Sequence, residues 1–176
     1  MAAVSQIRDV LIVDRPEQLK ALGHPLRLRV LEMLGAGEHE QLTNRELAQR
    51  LGVDPGHLHF HVRMLLKAGL IALAEGGRGR EKPYQAVART VRVAPELIAT
   101  GQASDLRAAM LTEVERGWER YGPEGLFRSA QVTARIPPER ALELITELVE
   151  KARDSEEESA EPLVLTTVFH PQTEHS

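Results

Sequence analysis

Apolar residues recur three and four apart through most of the first half of the chain, which predicts a run of short helices. Pro16 suits the first turn of one of them, with Leu19 and Leu22 on its apolar side and Gly23 as its stop. Pro25 opens a second, with Leu26, Leu28, Val30, Leu31, Met33 and Leu34 on one face and Arg27, Arg29 and Glu32 on the other. Thr43-Asn44-Arg45-Glu46 has the form of a capping box and starts a third, with Leu47, Ala48 and Leu51 inward and Gly52 at its end. A fourth runs from about Pro55 to Ala68 and is closed by Gly69. Val10-Leu11-Ile12-Val13 reads as a short strand or an ordered arm. Leu70–Leu73 and Tyr84–Val87 read as two strands joined by a flexible basic loop, with extended chain continuing to Val93. Pro83 suggests an edge position for the second of these strands.

The last third changes character. Ser104 to Tyr121 predicts a helix with Leu106, Met110, Val114 and Trp118 on one stripe. Gln131–Ile136 alternates like a strand, Pro138–Arg153 repeats like an amphipathic helix, and Leu163–Phe169 is rich in β-branched residues. That order allows a parallel strand pair with a right-handed crossover. The expected fold class is α+β: an N-terminal winged helix-turn-helix (a three-helix core plus a β-hairpin wing) with a C-terminal α/β extension. The expected division is 1–94 and 95–176.

Glu46 through Leu65 is the informative stretch. Ala48 is small where two helices must approach, Gly52 can take the left-handed turn, and Leu47, Leu51, Val53, Leu58 and Val62 fill the space between. On a helical wheel Leu58, Val62 and Leu65 share one side, while Gly56, Phe60, Arg63 and Lys67 lie nearly opposite, flanked by His57 and Met64. Such an exposed face suits a DNA major groove. Arg63 can reach a guanine edge or a phosphate, Lys67 a phosphate, and Gly56 lets the backbone come close. Arg78, Arg80 and Lys82 stand two apart on the loop and suit a minor groove or the backbone. The candidate DNA contacts are therefore Thr43, Asn44, Gly56, His57, His59, Phe60, Arg63, Lys67, Arg78, Arg80 and Lys82.

Composition and charge narrow the alternatives. The chain has no cysteine, which excludes disulfides, thiolate metal sites and a cysteine nucleophile. His57 and His61 are spaced to share a helix face, yet no third ligand other than Asp54 stands near, so no metal and no cofactor are expected. No phosphate loop, nucleophile elbow or paired acid–base set is present, and no enzyme activity is expected. No apolar run reaches membrane-spanning length, and the N-terminus does not read as a signal peptide, so the expected location is the cytoplasm. The net charge of −4 hides an asymmetry. Residues 15–94 carry 13 basic against 8 acidic side chains, and residues 95–176 carry 8 against 16. A basic front and an acidic back fit a nucleic-acid-facing half and a solvated or partner-facing half.

The stretch Ala21-Leu22-Gly23-His24-Pro25-Leu26-Arg27-Leu28-Arg29-Val30-Leu31 resembles the opening helix of ArsR-type winged-helix repressors. Asn44–Gly52 resembles their first motif helix, and Gly56–Arg63 their recognition helix, with His61 and Arg63 at matching positions. Ala68-Gly69-Leu70-Ile71 is similar to their helix-to-wing junction, and Gly79-Arg80-Glu81-Lys82-Pro83-Tyr84 to their wing. The resemblance covers about residues 15–94. It implies a homodimeric DNA-binding transcriptional regulator whose partners are double-stranded DNA and a second copy of itself. His59 departs from the small hydroxyl usual there, and Ser104–Tyr121 lacks the histidines of the metal-sensing members. The stripe Leu106, Met110, Val114 and Trp118 is the expected dimer seam, with packing inside its own chain as the alternative. Trp118 and Tyr121 leave open a small-molecule effector of unknown identity. The rival readings are a protein-interaction module and a non-specific architectural DNA binder.

Overall fold

The computed structural model describes residues 7–37, 40–75 and 81–171. The chain forms two units, Met1–Glu119 and Arg120–Ser176. The division expected after Ala94, drawn on charge and motif, does not coincide with this one. The difference arises because residues beyond 94, Leu97 and Leu106 among them, join the N-terminal core.

In the first unit, strand β1 (Arg8–Val13) buries Leu11 and Val13 and turns Ile12 outward. Helix α1 (Pro16–Leu22) starts on proline, whose missing N–H costs nothing in a first turn, and buries Leu19, Ala21 and Leu22. Helix α2 (Pro25–Gly35) is capped by His24, whose Nδ1 accepts the Leu26 N–H at 3.1 Å. Helix α3 (Asn44–Leu51) opens with the expected capping box: the Thr43 hydroxyl accepts the Glu46 N–H, and the Glu46 carboxylate accepts the Thr43 N–H at 2.8 Å. Helix α4 (Pro55–Lys67) follows after Gly52.

Strands β2 (Ile71–Leu73) and β3 (Tyr84–Ala86) form an antiparallel pair, with Ala72 opposite Gln85. Leu42 adds a single bridge to Tyr84 through two backbone hydrogen bonds of 2.8 and 3.0 Å. Strand β4 (Ala88–Val93) runs parallel to β1, in register from Arg8 opposite Ala88 to Val13 opposite Val93. The N-terminal segment is thus a strand, and its partner is the extended chain that follows the hairpin. Helices α5 (Pro95–Ala99) and α6 (Ser104–Tyr121) follow. Val13, Val30, Leu34, Leu47, Leu58, Val62, Leu65, Leu70 and Ile71 are fully buried at the centre. Each contributes about 1.5–3 kcal/mol by leaving water, so the faces they occupy fix how the helices pack.

Two expectations are corrected here. Arg27, assigned to the polar face of α2, is buried at 6% exposure. It lies three residues before Val30 and seven before Leu34, on the same stripe, and it can stay inside because its guanidinium is satisfied there. The stripe on α6 is also divided. Leu106 is buried in the core of its own unit and Met110 packs against that core, whereas Val114 and Trp118 are exposed.

The second unit holds helix α7 (Pro138–Asp154), which has no buried residue. Arg140 reaches the carboxylates of Glu143 and Glu147 at 2.7 and 2.9 Å, an i, i+3 and an i, i+7 pair on one exposed face. The strands expected at Gln131–Ile136 and Leu163–Phe169 are absent: both stretches are extended or irregular chain without ladder bonds. Their residues have strand chemistry, but two strands alone are marginal, and neither meets a partner strand among the described residues.

Candidate nucleic-acid interface

The turn between α3 and α4 is built from local chemistry. Gly52 has φ 66° and ψ 35°, the left-handed conformation that residues with a Cβ disfavour, and the Val53 N–H returns to the Ala48 carbonyl at 3.0 Å. Asp54 then caps α4, its carboxylate accepting the His57 N–H at 2.9 Å. The Asn44 amide donates to the Pro55 carbonyl at 2.8 Å, tying the start of α3 to the start of α4. The Arg29 guanidinium reaches the Leu51 carbonyl at 3.5 Å, at the end of α3. Of the candidate contacts, the Thr43 side chain is therefore engaged in capping α3 and the Asn44 side chain in tying α3 to α4.

Helix α4 has two faces. Leu58, His61, Val62 and Leu65 are buried. Gly56, His57, His59, Phe60, Arg63 and Lys67 are exposed, Phe60 at 64%. Among the described residues this face carries an exposed phenylalanine together with two histidines and two cations, a combination that suits a groove.

The same helix is seated from behind by Arg27, which the sequence reading places on a polar face, and by His24 and Gln18, to which it gives no position. The Arg27 guanidinium donates to the Ala21 carbonyl, to the Lys20 carbonyl at 3.0 Å, to His61 Nδ1 at 3.3 Å and to Met64 Sδ at 3.6 Å. It adds a donor to carbonyls at the end of α1, where the Lys20 carbonyl also accepts the Gly23 N–H at 3.2 Å, and grips α4 at two points. Burial lowers its pKa, and Asp105 partly offsets this. The His61 ring lies tilted against His24, with centroids 4.4 Å apart, and edge-on to His57 at 4.9 Å and to Phe60 at 5.6 Å. Burial, then the charges of His24, Arg27 and His57, push its pKa down to about 4. His61 is therefore neutral near pH 7. Because Arg27 can only donate, His61 Nδ1 accepts and its ring proton sits on Nε2. His24 is lowered too, by burial first and by Arg27 and His57 next. Gln18 adds a bond from its amide to the Ala68 carbonyl at 3.4 Å, at the end of α4. The stripe shared by Arg27, Val30 and Leu34 was the available signal for Arg27; only the fold shows that His24 and Gln18 back the same helix.

The antiparallel hairpin stands beside this face. Arg63 lies close enough to Tyr84 for its charge to act against the rise that burial causes in the phenol's pKa. Lys82 is exposed one residue before Pro83. Arg78 and Arg80 lie outside the described residues. Among the described residues no group of three or more His, Asp or Glu side chains could hold a metal ion, and no helix is long and apolar enough to cross a membrane.

Among curated proteins none matches the chain at a significant level. Residues 22–74, from the end of α1 through β2, match the family model of a helix-turn-helix domain, which supports a transcriptional regulator with DNA as its partner.

Proposed function

We propose that the protein is a sequence-specific regulator of ArsR type that binds double-stranded DNA as a homodimer and represses transcription in the cytoplasm. One observation carries this reading. Helix α4 buries Leu58, His61, Val62 and Leu65 and presents Gly56, His57, His59, Phe60, Arg63 and Lys67 to solvent, inside a stretch that matches a helix-turn-helix domain. In this reading α4 enters the major groove. Gly56 lets its first turn approach, Arg63 reads a base edge, and His57, His59 and Phe60 line the contact. Lys67 and Lys82 meet phosphates. The β2–β3 hairpin is the wing, with Arg78 and Arg80 on the adjacent backbone or minor groove. Thr43 and Asn44 set the angle at which α3 crosses the backbone. Two copies place their α4 helices about 34 Å apart on a near-palindromic site. The reading assigns no catalysis, no metal and no cofactor, and it leaves an effector unidentified.

Selection of DNA fragments by the purified protein tests it, followed by binding of the winner and of random duplex across a salt series. A palindromic winner bound roughly a thousandfold more tightly than random duplex is the expected result. A steep salt slope without sequence preference would demote the protein to a non-specific binder.

A further inference from the structure

We propose that the open edge of β1 is a self-pairing surface: β1 of a second copy of this chain lies antiparallel on it, with Arg8 of each copy opposite Asp14 of the other. The proposal rests on the homodimer reading above and gives that dimer an interface.

Among the described residues β1 pairs only with β4, in a sheet of two strands. A strand with one neighbour presents a row of backbone donors and acceptors along its other edge, a template for a further strand. Natural edges are commonly blunted by proline, lysine or a bulge. The stretch Arg8–Val13 contains no proline or glycine, and its charged residues, Arg8 and Asp9, stand at its start and leave Val10–Val13 uncharged. Its inward row is Asp9, Leu11 and Val13, of which Leu11 and Val13 belong to the core and Asp9 is exposed at the row's start, and its outward row is Arg8, Val10, Ile12 and, one residue on, Asp14. Arg8, Ile12 and Asp14 are exposed, Ile12 at 53%.

That outward row is complementary to its own reverse: a cation at one end, an anion at the other, two β-branched side chains between. Pairing about a two-fold axis through Leu11 sets Arg8 against Asp14 twice and Val10 against Ile12 twice. Directly opposed residues of an antiparallel pair share a face, so the exposed row meets itself and the core row stays inward. Sliding the register by one residue would turn the faces against each other. Sliding by two would set Asp14 against Val10 and leave both arginines without an acid. Only the register centred on Leu11 joins both charges and covers both isoleucines.

Sedimentation equilibrium and light scattering on the full chain test the surface. Arg8→Asp puts acid against acid at both ends of the pairing, and Asp14→Arg puts base against base. Each should raise the dimer dissociation constant by about tenfold or more. An equimolar mixture of the two single variants should associate like wild type, because each altered end then meets its opposite charge. The double variant Arg8→Asp/Asp14→Arg should do the same. A purely structural role for either residue would not let two weakened chains repair one another. Ile12→Lys, which buries two cations mid-row, should be monomeric with an unchanged circular dichroism spectrum. Single variants and Ile12→Lys that all dimerise like wild type would overturn the β1 surface and leave the homodimer reading standing. A wild-type chain that stays monomeric with and without its selected DNA would overturn both.

Discussion

His61→Gln probes the seat of α4 through its pH dependence. In the fold the imidazole is nearly fully buried and has a pKa of about 4, against 6.5 for an exposed histidine. Below pH 6.5 the unfolded chain gains a proton at this position that the folded chain refuses. Stability is therefore intact above pH 6.5 and is lost as pH falls through the window from 6.5 to 4. Two and a half pH units at about 1.4 kcal/mol each make the full loss about 3.5 kcal/mol, of which about 3 kcal/mol falls between pH 7 and pH 4; near-complete burial leaves little solvent screening to reduce it. Glutamine does not titrate, and its side-chain oxygen can still accept from Arg27. The variant should lose stability at pH 7 through poorer packing but should lack this acid-side decline. Urea denaturation of both proteins at pH 7, 6, 5 and 4 measures the difference. The gap between wild type and variant should close or invert by about 3 kcal/mol across the series. Stability curves that run parallel from pH 7 to 4 would refute the buried, neutral assignment.

Glu32 should act in the opposite sense. Burial and then Glu113 push its carboxyl up to about 7, against the pull of Arg29 and Arg116, so its stabilising contribution is present at low pH and lost as pH rises from 4.5 through 7. Glu32→Gln should stabilise the protein by about 1–2 kcal/mol at pH 8, after allowance for partial exposure, and much less at pH 5; urea midpoints at the two pH values decide. A Cβ added at Gly23 would stand 2.7 Å from the Asp105 Cβ, so Gly23→Ala should destabilise by about 1–3 kcal/mol in thermal denaturation. Thr43→Ala removes half of the capping box and should cost about 1 kcal/mol by the same measurement. Arg63→Ala should weaken binding to the selected DNA by about 1–3 kcal/mol and relax preference at one base pair. An equal loss on every sequence would make Arg63 a phosphate contact.

Features set by neighbours in the chain were legible in the sequence. The Thr43–Glu46 box, the left-handed Gly52 and the proline starts of α1, α2 and α4 each follow from a few adjacent residues. The two faces of α4 follow from helical spacing alone, which is why six candidate contacts fall on its exposed side. What escaped depends on distant partners. Arg27 looks like a surface cation until the end of α1 and the buried side of α4 close around it. The bridge from Leu42 to Tyr84 is a single residue long and leaves no pattern. The strand character of Val10–Val13 was visible, but not its pairing with β4. At Gln131–Ile136 and Leu163–Phe169 the same kind of local signal misled, because alternation and β-branching describe a residue's preference for a ladder and not the presence of one.

The clasp between β1 and β4 also bears on the order in which this unit assembles. Arg8 meets Ala88, 80 positions further along the chain, and closing a flexible loop of that size costs about 4 kcal/mol in chain entropy. A two-stranded parallel ladder offers too little to offset that cost unaided. The helices between the strands must first collapse and shorten the effective loop, so the ladder is a late event in folding. A fragment trimmed to residues 22–74 omits both strands and would keep the turn and α4 without the seam that locks the beginning of the unit to the chain after the hairpin.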